Sequence, residues 1–182
     1  LPEDPHHELT RVAFFPQDSH QCGPAALATM LVTTGINTTP EQLVPEVYIP
    51  ARRGSLQVEM LAAARRHGRI PWLLPPDFTA LRAELEAGNP VLVLQDLGAL
   101  GIRRWHYAVV IGHEPEHEVL VLRSGTQRRH LEREKYFLHS WQASDNWAIT
   151  ITPPGRIPAT ATPAAYIRAI ADSEGHQPAA EI

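Results

Sequence analysis

Hydrophobic residues recur with two different periods along this chain, and the change falls near its middle. Up to about residue 90 the period is helical. Leu27, Met30 and Leu31 stand at i, i+3, i+4 behind Gly23-Pro24 and stop at Gly35. Thr39, Pro40 and Gln42 form a capping-box start with proline at the first helical position, and Pro45 should keep that helix short. A third segment begins at Ser55, aligns Leu56, Met60 and Ala64, and closes at Gly68. A fourth carries Phe78, Leu81 and Leu85 and ends at Gly88, with Pro90 beyond. From there the pattern is that of strands: Val91 to Gln95, Trp105 to Gly112, Val119 to Leu122 and Trp147 to Thr152 are β-branched or aromatic runs between turn residues. Helices first and an antiparallel sheet second is an α+β order, and the lack of β-α-β alternation argues against a doubly wound sheet.

This patterning divides the chain into an arm over 1–12, one domain over 13–152 and a linker over 153–182. The arm is polar, with Pro2, Pro5 and the pair His6 and His7. The linker opens on Pro153-Pro154-Gly155, continues through Pro158, Pro163 and a run of Ala and Thr, and carries a short helical pattern from Ala164 to Ala171 before a polar tail. With 182 residues, 43% of them apolar and 20% charged, the chain can bury a sizeable core and does not resemble a disordered one. A net charge of −4 gives no electrostatic reason to expect nucleic acid as a partner. One cysteine excludes an internal disulfide and any zinc finger with two cysteine ligands. No apolar run approaches the ~20 residues that span a bilayer. Leu1 stands where an initiator Met would, so a processed form or an excised piece of a longer chain is expected, and a signal or lipid-anchor segment could have been removed from it.

The single cysteine, Cys22, lies immediately before a helix start, where unpaired N–H groups favour a thiolate. A helix terminus supplies at most ~2 kcal/mol, about 1.5 pKa units, against an ordinary thiol near 8.5. That leaves a weak nucleophile, so a histidine partner is required. His106, which opens the apolar run His106 to Gly112, is the best placed of ten histidines. A lone cysteine is most often a small core residue, and a histidine opening a strand an edge residue. What points further is their order: Gln17, then Cys22-Gly23-Pro24 opening a helix, then His106 on a later strand. His113 and His117 flank Pro115 in a turn, which favours a solvated turn over a metal site, and no metal or cofactor is expected. Arg103-Arg104, in the loop with Gly98 and Gly101 just before His106, has two readings, contact with an acidic substrate and, favoured, a solvated surface. Arg128, Arg129 and Arg133 among glutamates read as solvated surface.

The segment QDSHQCGPAALATML, from Gln17 to Leu31, together with HYAVVIG from His106 to Gly112, resembles the C39-like cysteine peptidases of papain-like fold, the family of the bacteriocin leader-processing peptidases. The likeness covers about residues 13 to 150. It is strongest to a bacterial subgroup of exported, often lipid-anchored proteins in which this domain precedes tetratricopeptide repeats. The resemblance implies Cys22 as nucleophile, His106 as general base and acid, and Gln17 as an oxyanion-hole donor. It further implies a peptide or protein substrate, a periplasmic or membrane-anchored location through a removed lipid anchor, and a C-terminal repeat domain beyond this chain. Trp105 and Tyr107 bracket His106, so one should face the substrate cleft while the other packs inward.

Two departures from the family pattern stand out. Relatives place the glutamine six residues before the cysteine, whereas Gln17 is five before Cys22, with Gln21 the weaker alternative. Relatives also carry an Asp or Asn on the strand after the histidine strand, where this chain has Arg123-Ser124-Gly125. The group orienting His106 is then Ser124, a weaker acceptor, or a residue from elsewhere such as Asp96 or Asn146. Hydrolysis of a peptide bond, peptide binding by a catalytically degenerate domain, and a thiol amidase or acyl-transfer activity all remain open on this sequence.

Overall fold

In this computed structural model, residues 7–17 and 20–175 are described. The chain enters through a two-residue strand, β1 (His7–Glu8), and reaches helix α1 (Cys22–Thr33). Every residue of α1 from Cys22 to Leu31 is buried. A helix apolar all round has to lie inside the protein, and α1 lies between the sheet and two further helices. These are α2 (Pro40–Val47) and, after the hairpin of β2 (Tyr48–Ile49) and β3 (Gly54–Ser55), α3 (Gln57–Arg66). Helix α2 starts on the expected capping box: Thr39 Oγ1 accepts from the Gln42 N–H, and Gln42 Oε1 accepts from the Thr39 N–H. It is short, although Pro45 lies within it.

Next come β4 (Ile70–Leu73), α4 (Phe78–Glu86), β5 (Val91–Asp96), β6 (Trp105–Glu114), β7 (Val119–Ser124), β8 (Gln127–Arg133), α5 (Glu134–Gln142), β9 (Ala148–Thr152) and α6 (Pro163–Glu174). The sheet runs β4-β9-β5-β6-β7-β8, antiparallel throughout, with β1 added to β6 beyond the end of β5. Side chains alternate across it. Leu92, Leu94, Tyr107, Val109 and Ile111 pack with α1, whereas Val93, Ala108, Val110 and Leu122 pack with α4 and α5 through Leu81, Phe137 and Trp141. Cover on both faces explains why β5 and β6 read as continuous apolar runs rather than alternating ones. Among the described residues, no helix is long and apolar enough to cross a membrane.

The ends of the chain depart from the expected division. The last part of the presumed arm belongs to the fold: β1 pairs with β6, and Val12 is fully buried. Residues 1–6 of that arm lie outside the described residues. The presumed linker also docks on the domain. Glu84, fully buried on α4, accepts hydrogen bonds from the Ala159 and Thr160 N–H groups and the Thr160 hydroxyl, and Trp72 Nε1 donates to the same hydroxyl. Helix α6 begins on the Thr162 side-chain cap and buries Tyr166, whose hydroxyl accepts from the Gly155 N–H. Proline-rich composition therefore marks a rigid strap here, because buried partners satisfy its polar groups. The tail at 176–182 lies outside the described residues.

Candidate active site

Cys22 opens α1 and is 9% exposed, at the floor of a cleft of about 780 Å3. Its sulfur meets strand β6. In β6, the Tyr107 N–H points away from β5, on the side where pairing with β7 begins only at Val109. With no strand opposite it, that N–H donates to Cys22 Sγ at 3.5 Å. Strand amides lie in the plane of the sheet, so the sulfur sits level with the sheet, beyond the end of β7 pairing, and not stacked on one face.

The Tyr107 nitrogen is bonded to the His106 carbonyl carbon, and covalent geometry then keeps Sγ within about 6 Å of the His106 Cα. His106 has the facing of Ala108 and Val110, and its ring reaches across to β7: Nε2 and Ser124 Oγ are 2.8 Å apart in a hydrogen bond. Among the described residues, Cys22 and His106 are thus adjacent through the 106–107 peptide and are not hydrogen-bonded to each other. Asp96 and Asn146, the other candidate orienters, are engaged elsewhere. Asp96 Oδ1 accepts from the Gly98 and Arg104 N–H groups, and Asn146 Nδ2 donates to the Pro76 carbonyl.

Burial sets the protonation of the pair. It pushes the Cys22 thiol above its ordinary value, against the main-chain N–H groups of Tyr107, Gly23 and Cys22, which favour the thiolate. Burial, with the charges of Arg104 and His130, lowers His106 to about 4. These shifts favour a neutral thiol beside a neutral imidazole at rest.

Gln17 is tied to the turn that follows β7. Its N–H donates to the Gly125 carbonyl at 3.0 Å, next to Ser124. With Cys22, Tyr107, Ser124 and Gly125 it lines a cavity of about 20 Å3, room for roughly one water-sized group. Gln21 is the exposed N-cap residue of α1 and makes no side-chain cap bond. Both bracketing aromatics border the cleft. Trp105 is 44% exposed with the Arg103 guanidinium over its ring, while Tyr107 is 5% exposed, packs edge-on against Trp147, and donates its hydroxyl to the Ser55 carbonyl.

Two features go beyond the sequence reading, the first of them the convergence of Arg103-Arg104 with a second pair. Arg52, Arg53, Arg103 and Arg104 come from two distant loops to border one cleft. Arg123, 6% exposed, donates to the carbonyls of Thr10, Val12 and Arg128 and so ties the entry segment to β7. The pairing of like charges within each loop was a signal for the first; nothing in the sequence pointed to the second. His113 and His117 are partners of Glu134 and Glu114.

The profile of the Peptidase_C39 like family matches residues 9–149. No curated protein shows significant similarity to the sequence. Among solved structures, the chain is similar to a Bacillus anthracis protein described as a C39-like peptidase, with a TM-score of 0.70 at 16% identity over 84% of this chain and 100% of that one. It is also similar to the peptidase domain of Streptococcus ComA, a bifunctional ABC transporter of a quorum-sensing pathway, at 0.63 and 23% over 78% and 98%. A third is a double glycine motif protease from an AMS/PCAT transporter in complex with its leader peptide, at 0.58 and 18% over 78% and 91%. At these identities the structures establish a shared papain-like fold.

Proposed function

From its membership of the Peptidase_C39 like family, to which this chain belongs, we propose that the protein is a thiol peptidase acting through Cys22 and His106. The observation that carries this is the sulfur held against the 106–107 peptide at the floor of an open cleft. His106 takes the Cys22 proton as Sγ bonds to the scissile carbonyl carbon. Negative charge then builds on the carbonyl oxygen, where the Cys22 N–H and the Gln17 side-chain amide stabilise it, each donor being worth roughly 3 kcal/mol. Collapse breaks the C–N bond, and the imidazolium returns its proton to the leaving amine. Water attacks the resulting thioester with His106 again as base, releasing the acid and the thiol. Ser124 holds the ring through Nε2 during both transfers. The substrate lies along the cleft past Trp105 and Tyr107, and the activity is limited processing of a protein or peptide.

The test is cleavage of a mixed peptide library followed by mass spectrometry, with alkylation of Cys22 by iodoacetamide alongside. We expect products that vanish in Cys22→Ala, and alkylation slowed in His106→Ala. Hydrolysis that survives Cys22→Ala, or alkylation indifferent to His106, overturns the assignment. A domain that binds peptides without cutting them is favoured by one observation, the hydroxyl in place of a carboxylate behind His106. It predicts peptide binding with no products.

A further inference from the structure

The protein carries a net charge of −4, yet its cleft is cationic. Arg52 and Arg53 from the β2–β3 turn and Arg103 and Arg104 from the segment before β6 line it together with His20 and Cys22, and among the described residues Asp145 is the one carboxylate on the lining. The turn bearing Arg52 and Arg53 is a fixed structure. A 3-10 turn over Pro50–Arg52 and a left-handed Arg53, φ 48°, are pinned by the β2–β3 pairing. Arg103 has Asp96 Oδ2 at 3.6 Å and covers Trp105. Among the described residues, Arg52, Arg53 and Arg104 have no ion-pair partner. Three guanidiniums with no ion-pair partner among the described residues, lining one groove, cost self-repulsion, which an anionic occupant would relieve. Arginine also offers a carboxylate two parallel donors, which lysine does not.

We propose that the cleft selects peptides carrying an acidic side chain close to the scissile bond, held by Arg52, Arg53 and Arg104. This rests on the peptidase assignment above and adds the substrate class. Arg104 has a double part, since it both meets the substrate carboxylate and faces His106. An acidic peptide in place offsets its charge, so imidazolium formation becomes easier when the matching substrate is bound.

Two measurements test it, one of them independent of peptide cleavage. The first compares alkylation of Cys22 by iodoacetate and by iodoacetamide, each relative to a small free thiol. A cationic cleft raises the anionic reagent's relative rate by ~5-fold or more at low salt, and the ratio falls towards one in Arg52→Ser/Arg53→Ser and in Arg104→Ser. A ratio equal to that of the free thiol overturns the proposal and leaves the peptidase assignment standing. The second measures binding of labelled, end-blocked peptides with a central Glu-Glu, Gln-Gln or Lys-Lys pair to the Cys22→Ala protein, with a neutral peptide bearing a free C-terminal carboxylate as a separate arm. We expect the Glu peptide to bind at least ~5-fold more tightly than the Gln peptide, and Arg53→Glu to shift preference towards Lys. Equal binding of Glu and Gln peptides, or a gain confined to the free C-terminus, overturns the side-chain proposal. Binding of no peptide at all overturns it together with the peptidase assignment.

Discussion

Ser124 Oγ and His106 Nε2 are 2.8 Å apart, so the ring of the candidate base is held by a hydroxyl on the neighbouring strand. A neutral hydrogen bond of this kind is worth about 1 kcal/mol, so Ser124→Ala should lower kcat/KM by ~5-fold. Ser124→Asp should raise the apparent pKa of His106, because a carboxylate favours the imidazolium. Steady-state kinetics of both variants over a pH series checks the pair of expectations.

The depressed His106 value fixes the pH behaviour of activity. The imidazole accepts the thiol proton only while neutral, so kcat/KM should hold down to about pH 4 and fall below it. Arg104→Gln removes one cause of the depression and should move this limb upwards, towards 6.5. An unmoved limb would show that Arg104 does not act on the ring.

Stability should follow the same group. The unfolded chain protonates His106 near 6.5 and the folded chain near 4, so between those values the unfolded state holds more protons. The contribution is fully present above 6.5 and is lost as pH falls towards 4, amounting to roughly 3 kcal/mol. Urea unfolding at about pH 7 and about pH 4.5 should show a smaller loss for His106→Asn than for the unaltered protein.

Removing the Arg123 guanidinium would strand the carbonyls of Thr10, Val12 and Arg128. Arg123→Met should therefore cost roughly 2–3 kcal/mol. Urea unfolding reads the cost, and hydrogen exchange should show the N–H groups of Leu9 and Val12 losing protection first.

Glu84 anchors the strap that follows the domain. Glu84→Leu fills the buried site but leaves the Ala159 and Thr160 N–H groups without their acceptor. Limited proteolysis should then cut around residues 156–162 at least several-fold faster, while the core stays intact.

The elements with strong local signals were legible in the sequence. Helix α1 carries an unbroken apolar stretch behind Gly23-Pro24, α2 its capping box, and β5 and β6 runs of β-branched residues. By contrast, β8 is a charged edge strand, with Arg128, Arg129 and Arg133 exposed, and its sequence resembles any solvated loop. Helix α5 buries only Phe137, Ser140 and Trp141 and starts on Arg133 with no side-chain cap, so it lacks both a stripe and a start signal. Of the site, Cys22 and His106 stood out by motif. The four cleft arginines did not, because two short basic pairs about fifty residues apart look like surface until β3 and β6 are brought together.

The amide that donates to the sulfur lies 85 residues further along the chain, on a strand, while the sulfur itself belongs to a helix. A nascent or partly assembled chain therefore carries an unremarkable thiol. On the proposed assignment, hydrolytic power would arise only once helix and sheet have joined and would disappear again when they part. Tertiary assembly would then act as a safety catch.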